Sequence, residues 1–228
     1  MRTLLFAVLT ISICAPAHAV LVEFDLGSNN QIRSSNPNGN FDGTALLNVD
    51  NFGMANEIRS LVKNDAVIGA GAGQLPTGVT VDSAVLSLYL ENPSTELHNV
   101  HQINTAWDQG TVSWAGFNNG GVAGTDYVAA AGGSFTPSGG PGYLNVDVTS
   151  IVQAWSNGDA NQGFLLVASG GDGSSYRREN AAGALTGVPR LSVNYSTAAI
   201  PEPSSFVLFG LVASGYGLRR WKQRKAQS

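Results

Sequence analysis

Cysteine is nearly absent from this chain: the single one, Cys14, lies in the first apolar stretch. Disulfides are therefore excluded as a source of stability for whatever follows that stretch, although an oxidising compartment would permit them. Bases are also scarce in the middle of the chain. Of the twelve, Arg2 stands at the start and Arg219, Arg220, Lys222, Arg224 and Lys225 at the end, while Glu202 is the one acid outside the body. That leaves fifteen acids against six bases between about Val20 and Ile200, a charge of about −9. Such a body lacks the basic face that phosphate contacts demand, so nucleic acid is excluded as a partner. Long helical periodicity is lacking as well. There is no Gly-x-Ser-x-Gly elbow, no His-Glu-x-x-His and no phosphate-binding loop. Of three histidines, His18 falls in the leader, and His98 and His101 flank one strand with no candidate nucleophile adjoining them in sequence.

What is present begins with a leader. Met1-Arg2 is a minimal basic region, Thr3 to Cys14 is apolar, and Ala17-His18-Ala19 is a small-x-small cleavage site. Residues 1–19 read as a secretory signal peptide cut after Ala19, which implies export by the Sec route. Ile13 precedes Cys14 where a lipoprotein would carry a small residue. The far end is tripartite: Pro201-Glu202-Pro203, an apolar run from Ser204 to Leu218, then the cluster opening with Arg219 and Arg220. As a helix the run reaches about 22 Å at 1.5 Å per residue, short of a hydrocarbon core of about 30 Å. Local thinning or snorkelling of the cations would cover the gap, and the positive-inside rule keeps the end cytoplasmic. A plain tail anchor would explain the apolar run but not the Pro-Glu-Pro. The three parts in this order resemble a PEP-CTERM sorting signal. The resemblance implies an exosortase as processing partner, transient holding in the inner membrane through residues 204–218, and release to the cell surface or matrix.

The body, residues 20–197, reads as all-β. Glycine is abundant, and Val, Leu, Thr and Ser alternate in short runs between Gly, Asn, Pro and Ser clusters, the pattern of a single sandwich. The clearest strand is Val79 to Leu90, with Ala84, Leu86, Leu88 and Leu90 on one face and Ser83, Val85, Ser87 and Tyr89 on the other. Glu91-Asn92-Pro93-Ser94 would end it as a turn. Further strands are expected at Leu21 to Leu26, Ala45 to Val49, Ile58 to Lys63, Asn99 to Thr105, Tyr143 to Val148, Gly163 to Ala168 and Arg190 to Tyr195. One short helix is expected from Thr149, as its cap, through Trp155, stopped by Asn157-Gly158. Gly69 to Gly73, Gly116 to Gly124, Ala129 to Gly142 and Gly170 to Gly173 read as loops.

Several segments in order carry a second resemblance. They are Val81-Asp82-Ser83-Ala84-Val85-Leu86-Ser87-Leu88-Tyr89-Leu90, Trp107-Asp108-Gln109-Gly110-Thr111-Val112-Ser113-Trp114, Val146-Asp147-Val148-Thr149, Val152-Gln153-Ala154-Trp155, Gly163-Phe164-Leu165-Leu166 and Pro189-Arg190-Leu191-Ser192-Val193-Asn194-Tyr195. Together they resemble DNRLRE domains, which are similar to carbohydrate-binding module family 96. This implies a jelly-roll-like sandwich that binds polysaccharide. The namesake hexapeptide is replaced by Tyr176-Arg177-Arg178-Glu179.

The candidate site follows from residue types. Trp107, Trp114 and Trp155 can stack on sugar rings, but they alternate with their neighbours like buried positions and are assigned, with Leu86 and Leu88, to the core. Tyr127, Tyr176, Arg177 and Arg178 sit in or beside loops and are the surface ligand candidates. Guanidinium forks suit carboxylates, which points to an acidic polysaccharide, unless Glu179 simply pairs with one of them. Asn38, Asn40 and Asp42 place oxygens around Gly39 in a composition that suits calcium, without the spacing of an EF-hand. No residue is singled out as catalytic, and no cofactor beyond that calcium is implied.

The reading is thus of a non-catalytic surface or exopolysaccharide-matrix protein. A small polysaccharide lyase or hydrolase and a calcium-stabilised adhesin are the alternatives. Replacing Pro201 and Glu202 by Ala should block processing of the tail, seen as retention of the precursor in the membrane fraction. Unaltered release from cells would defeat the sorting assignment.

Overall fold

A computed structural model describes residues 18–53, 55–178 and 187–197. The leader through residue 17, the tail from residue 198 and Glu179 lie outside the described residues. So do the expected membrane segment 204–218 and the expected pairing of Glu179 with an arginine. Among the described residues no helix is long and apolar enough to cross a membrane.

The described chain forms eleven strands and one helix within the unit Ala19–Ser196. The first sheet is built around β5 (Thr80–Asn92), the strand whose alternation is clearest in the sequence. Along one edge it pairs with β8 (Gly142–Asp147), from Val85↔Asp147 to Leu90↔Gly142. Along the other it pairs first with β11 (Arg190–Ser196) and further on with β10 (Ser174–Arg177). β1 (Ala19–Asp25) closes that side by pairing with β11 along its full length, from Ala19↔Ser196 to Asp25↔Arg190. The second sheet runs β2 (Ser28–Arg33), β4 (Glu57–Lys63), β9 (Phe164–Ala168), β6 (His98–Gln102), β7 (Gly133–Phe135). β3 (Leu46–Asn51) belongs to both sheets: Leu46 to Val49 pair with β10, whereas Asp50 and Asn51 pair with β4.

Alternation decides what lies between the sheets. Ala84, Leu86, Leu88 and Leu90 of β5 are fully buried against Val62, Val100, Phe164 and Leu166 of the second sheet. Helix α1 (Thr149–Ser156) adds Ile151, Val152 and Trp155 to this core, and Trp155 packs on Phe164 with ring centroids 4.9 Å apart. The helix start differs from expectation. Val148 occupies the cap position without a side-chain bond, and Thr149 is the first helical residue. Its hydroxyl donates to Asp147 Oδ1 at 2.6 Å and accepts the Ala84 amide at 2.9 Å, so it ties the helix to β5 instead of capping it. Gly158, at φ 116°, ends the helix as expected, its amide donating to Trp155 O.

The second sheet is buried on both faces. Its outer side chains Ile32, Leu61 and Leu165 meet Ile103, Trp107, Val112, Trp114 and Phe117, all carried by the segment that follows β6. Outward-facing cations of β4 fasten that segment. Lys63 Nζ donates to Trp107 O at 3.0 Å and lies 5.0 Å from the Trp107 ring. Arg59 donates to Gly120 O at 2.8 Å and lies 5.5 Å from the Trp114 ring. Gly120 must be glycine: at φ 94° a Cβ would sit 2.6 Å from the Trp114 ring.

Three strands escape a hydrophobic-period reading. β2 carries Asn29, Asn30 and Gln31, all fully buried, because their amides bond locally and across the fold: Asn30 Nδ2 donates to Gln109 O, and Gln31 Oε1 accepts from Asn48. β7 is three residues inside the glycine-rich stretch expected to be loop. β10 reads Ser-Ser-Tyr-Arg and contains Tyr176, whose expected surface position is corrected here. With β3 on one side and β5 on the other, Tyr176 points inward and is 0% exposed. Two smaller corrections concern β5, which runs on to Asn92, and β6, which stops at Gln102.

Tyr176 shares a hydrogen bond of 2.8 Å with His98 Nδ1, and the two rings meet edge to face. Burial holds the imidazolium of His98 down to about 4 from 6.5, and pushes the Tyr176 phenol up. Between these two values the unfolded chain binds a proton at His98 that the folded chain does not. Stability is therefore full above pH 6.5 and falls as the pH drops to 4, by about 3 kcal/mol. His101 is lowered in the same direction, again chiefly by burial. Urea unfolding across this window should show that slope, and His98→Gln should reduce it to the part that His101 contributes. In the same assay Trp114→Ala should cost about 3–5 kcal/mol at neutral pH, as for a core aromatic.

Candidate functional site

The expected ligand residues are scattered by the fold. Besides Tyr176, Arg178 also leaves the surface. It is 6% exposed, and its guanidinium donates to Phe41 O at 3.1 Å, Asn29 O at 2.9 Å and Asp42 Oδ1 at 2.9 Å. It is a strut from the end of β10 to β2 and the 41–44 turn, and the expectation of a surface ligand is corrected accordingly. Tyr127 is partly buried against the outer cluster of the second sheet, edge to face with His101 at 5.0 Å. Arg177 alone of the four stands on an open sheet face.

Asn40 and Asp42 are spent on protein partners. Asn40 Nδ2 donates to Gln109 O and Val112 O, and its Oδ1 accepts the Asp42 amide. Asp42 Oδ1 accepts from Gln109, Arg178 and Gly43. The Gln109 amide, followed by the Arg178 guanidinium, holds this carboxyl below its usual range. Asn38 is exposed. Among the described residues no group of three or more His, Cys, Asp or Glu side chains is arranged to hold a metal ion.

Trp107 and Trp114 are 7% and 8% exposed, with a cation beside each ring, and Trp107 Nε1 donates to Gln162 O at 2.8 Å. They have no free ring face for a sugar. Trp155 is 1% exposed. Both histidines of the body are buried, His98 bonded to Tyr176 and His101 Nδ1 to Val128 O at 2.9 Å.

The outer face of the first sheet is different. The residues of β5 that point away from the core, Val85, Ser87 and Tyr89, are only partly buried. Register sets Tyr143 of β8 opposite Tyr89 and Asn145 opposite Ser87. On the other edge Arg190 lies opposite Ser87 and Ser192 opposite Val85, with Asp25 and Glu23 of β1 beyond them. One row across the sheet therefore reads Asn145, Ser87, Arg190, Asp25, and the next Asp147, Val85, Ser192, Glu23. Tyr143 is 43% exposed and is propped edge to face by Tyr89, ring centroids 5.2 Å apart. The Arg177 guanidinium lies 4.2 Å over the Tyr89 ring and is bonded to Glu91, and that of Arg190 lies 5.8 Å from Tyr143. Along the same face, side chains bond across strands: Ser87 to Asn145 beside the rings at 2.8 Å, and further along Ser192 to Glu23 at 3.2 Å and Asn194 to Ser83 at 3.1 Å.

An exposed tyrosine amid hydroxyls, amides and carboxylates on a flat sheet can stack on the C–H face of a sugar and bond its hydroxyls from the side. Neither tyrosine stands out in the sequence as a ligand candidate: Tyr89 is only an outward position of the best strand, and Tyr143 only the start of an expected one. Their pairing depends on the β5–β8 register, which no spacing reveals because those strands lie some fifty residues apart in the chain.

No curated protein matches the chain. Two family comparisons do. Residues 199–221 match the PEP-CTERM protein-sorting motif, on the Pro-Glu-Pro, the apolar run and the first of the terminal cations. Residues 21–192 match carbohydrate-binding module family 96, a span that begins within β1, ends at Ser192 in β11 and includes both Tyr89 and Tyr143. On this match the chain belongs to carbohydrate-binding module family 96.

Proposed function

We propose that the body binds polysaccharide on the outer face of its first sheet, and that the protein is a non-catalytic component of the cell surface or exopolysaccharide matrix. The observation that carries the proposal is the exposed Tyr143 ring, braced by Tyr89 on a face that also carries cross-strand pairs of hydroxyls, amides and carboxylates. Family membership and the sorting motif support it from two directions, one for the ligand and one for the destination. Export begins with the Sec leader, an exosortase acts near Pro201-Glu202-Pro203, and the run 204–218 holds the precursor in the inner membrane until then.

The lyase or hydrolase alternative has less support, because the histidines of the body are buried in structural bonds. Glu91 and Asp25, on the same face as Tyr143, are likewise engaged by arginines.

Tyr143→Ala removes an exposed side chain and should leave stability within about 0.5 kcal/mol. It should weaken retardation in glycan-containing gels about tenfold or more, while Tyr143→Phe keeps most of it. Phe52→Ala, which removes a more exposed aromatic from the turn after β3, should have no effect. Failure of the unaltered protein to bind any glycan would sink the proposal.

A further inference from the structure

Resting on that reading, we infer that the polysaccharide bound at the Tyr143 face is a neutral one. The two guanidiniums on this face are both already engaged. Arg177 is bonded to Glu91 and lies over Tyr89, and Arg190 Nε sits 3.3 Å from Asp25 Oδ1, so each guanidinium is already paired with a carboxylate of the same face.

Three more carboxylates share the face without a cation beside them among the described residues. Glu23 accepts from Ser192, Asp82 from Ser196, and Asp147 from the hydroxyl and amide of Thr149. The Thr149 hydroxyl, then its amide, holds the Asp147 carboxyl below the usual range, which favours its ionised form. Five carboxylates thus stand against two guanidiniums across five strands.

A polyuronate or sulfated chain lying along such a face would carry its charges within a Debye length of these carboxylates, about 10 Å at moderate salt, and be repelled. A neutral chain meets no such penalty. Its hydroxyls are donors, and ionised carboxylates with serine and asparagine partners are strong acceptors for them. Tyr143 and the exposed Leu21 offer apolar contact to the C–H faces of the rings. Of the two arginines that suggested an acidic ligand, Arg177 is therefore the counter-ion of Glu91 on this sheet, and Arg178 is buried against Asp42 away from it.

The test is native gel electrophoresis of the full chain in gels holding a neutral glucan, galactomannan or xyloglucan, or else alginate or polygalacturonate, at low and high salt. Retardation is expected with at least one neutral polymer, little changed by salt, and reduced at least tenfold by Tyr143→Ala. No retardation is expected with either acidic polymer. The double variant Glu23→Lys, Asp82→Lys, which reverses two charges on the face, should gain salt-sensitive retardation by alginate. Binding of acidic polymers alone, abolished by Tyr143→Ala, would overturn the neutral assignment and leave the polysaccharide-binding reading standing. Neutral binding untouched by Tyr143→Ala would overturn the assignment to this face, and binding to no polymer would overturn both.

Discussion

The constraint on which the rest depends is the burial of the second sheet on both sides. A sandwich ordinarily buries the facing surfaces of its two sheets and leaves both outer surfaces in water. Here β4 presents Arg59, Leu61 and Lys63 outward, and a long crossing segment lies down on them through Trp107, Val112, Trp114 and Phe117. The apolar side chains supply the burial. The two cations supply direction, each meeting backbone carbonyl oxygen and an indole ring of the segment, so the segment is fixed in place as well as attracted. Because that surface is consumed in holding the fold, the outer surface of the first sheet is the flat one left for a ligand. The tryptophans that look most like sugar platforms in the sequence are the ones that cannot serve.

A second fixture is the buried polar system behind β2 and β10. Asn29, Asn30 and Gln31 are amides in positions that a hydrophobic pattern would reserve for Val or Leu. They persist because each finds a carbonyl or amide partner, and because Arg178 reaches Asn29 O and the 41–44 turn from the other side. Asn29 Oδ1, Gln31 Nε2 and Arg178 Nε keep no partner, so these groups add little net free energy, but the bonds they do make penalise misalignment heavily. They therefore set the register of strands that carry no hydrophobic alternation of their own.

This explains which parts of the molecule were legible beforehand. The β5 alternation, the position and stop of α1, the last strand and the core roles of Leu86, Leu88 and the three tryptophans follow from period and turn chemistry, which are local. β2 and β10 were illegible because their burial rests on amide and guanidinium bonds to residues up to 149 positions away. The misplacement of Tyr176 and Arg178 has the same origin. Next to a glycine-rich loop they read as surface, yet β10 is inserted between β3 and β5, a neighbourhood set by topology alone. The open face was half legible, since Tyr89 was known to point away from the core, but its partner Tyr143 comes from a pairing that only the fold supplies.

The pairing of β1 with β11, from Ala19↔Ser196 onward, brings the two ends of the body out side by side at one edge of the first sheet. That arrangement sets how the domain bears load. Tension applied between the two ends would open the β1–β11 ladder like a zipper, rung by rung. Tension entering at Ser196 and leaving through a glycan on Tyr143 runs instead along β11, β5 and β8. Their transverse hydrogen bonds are then sheared together and share the force. A polymer held at Tyr143 would thus load the fold along its mechanically stronger axis.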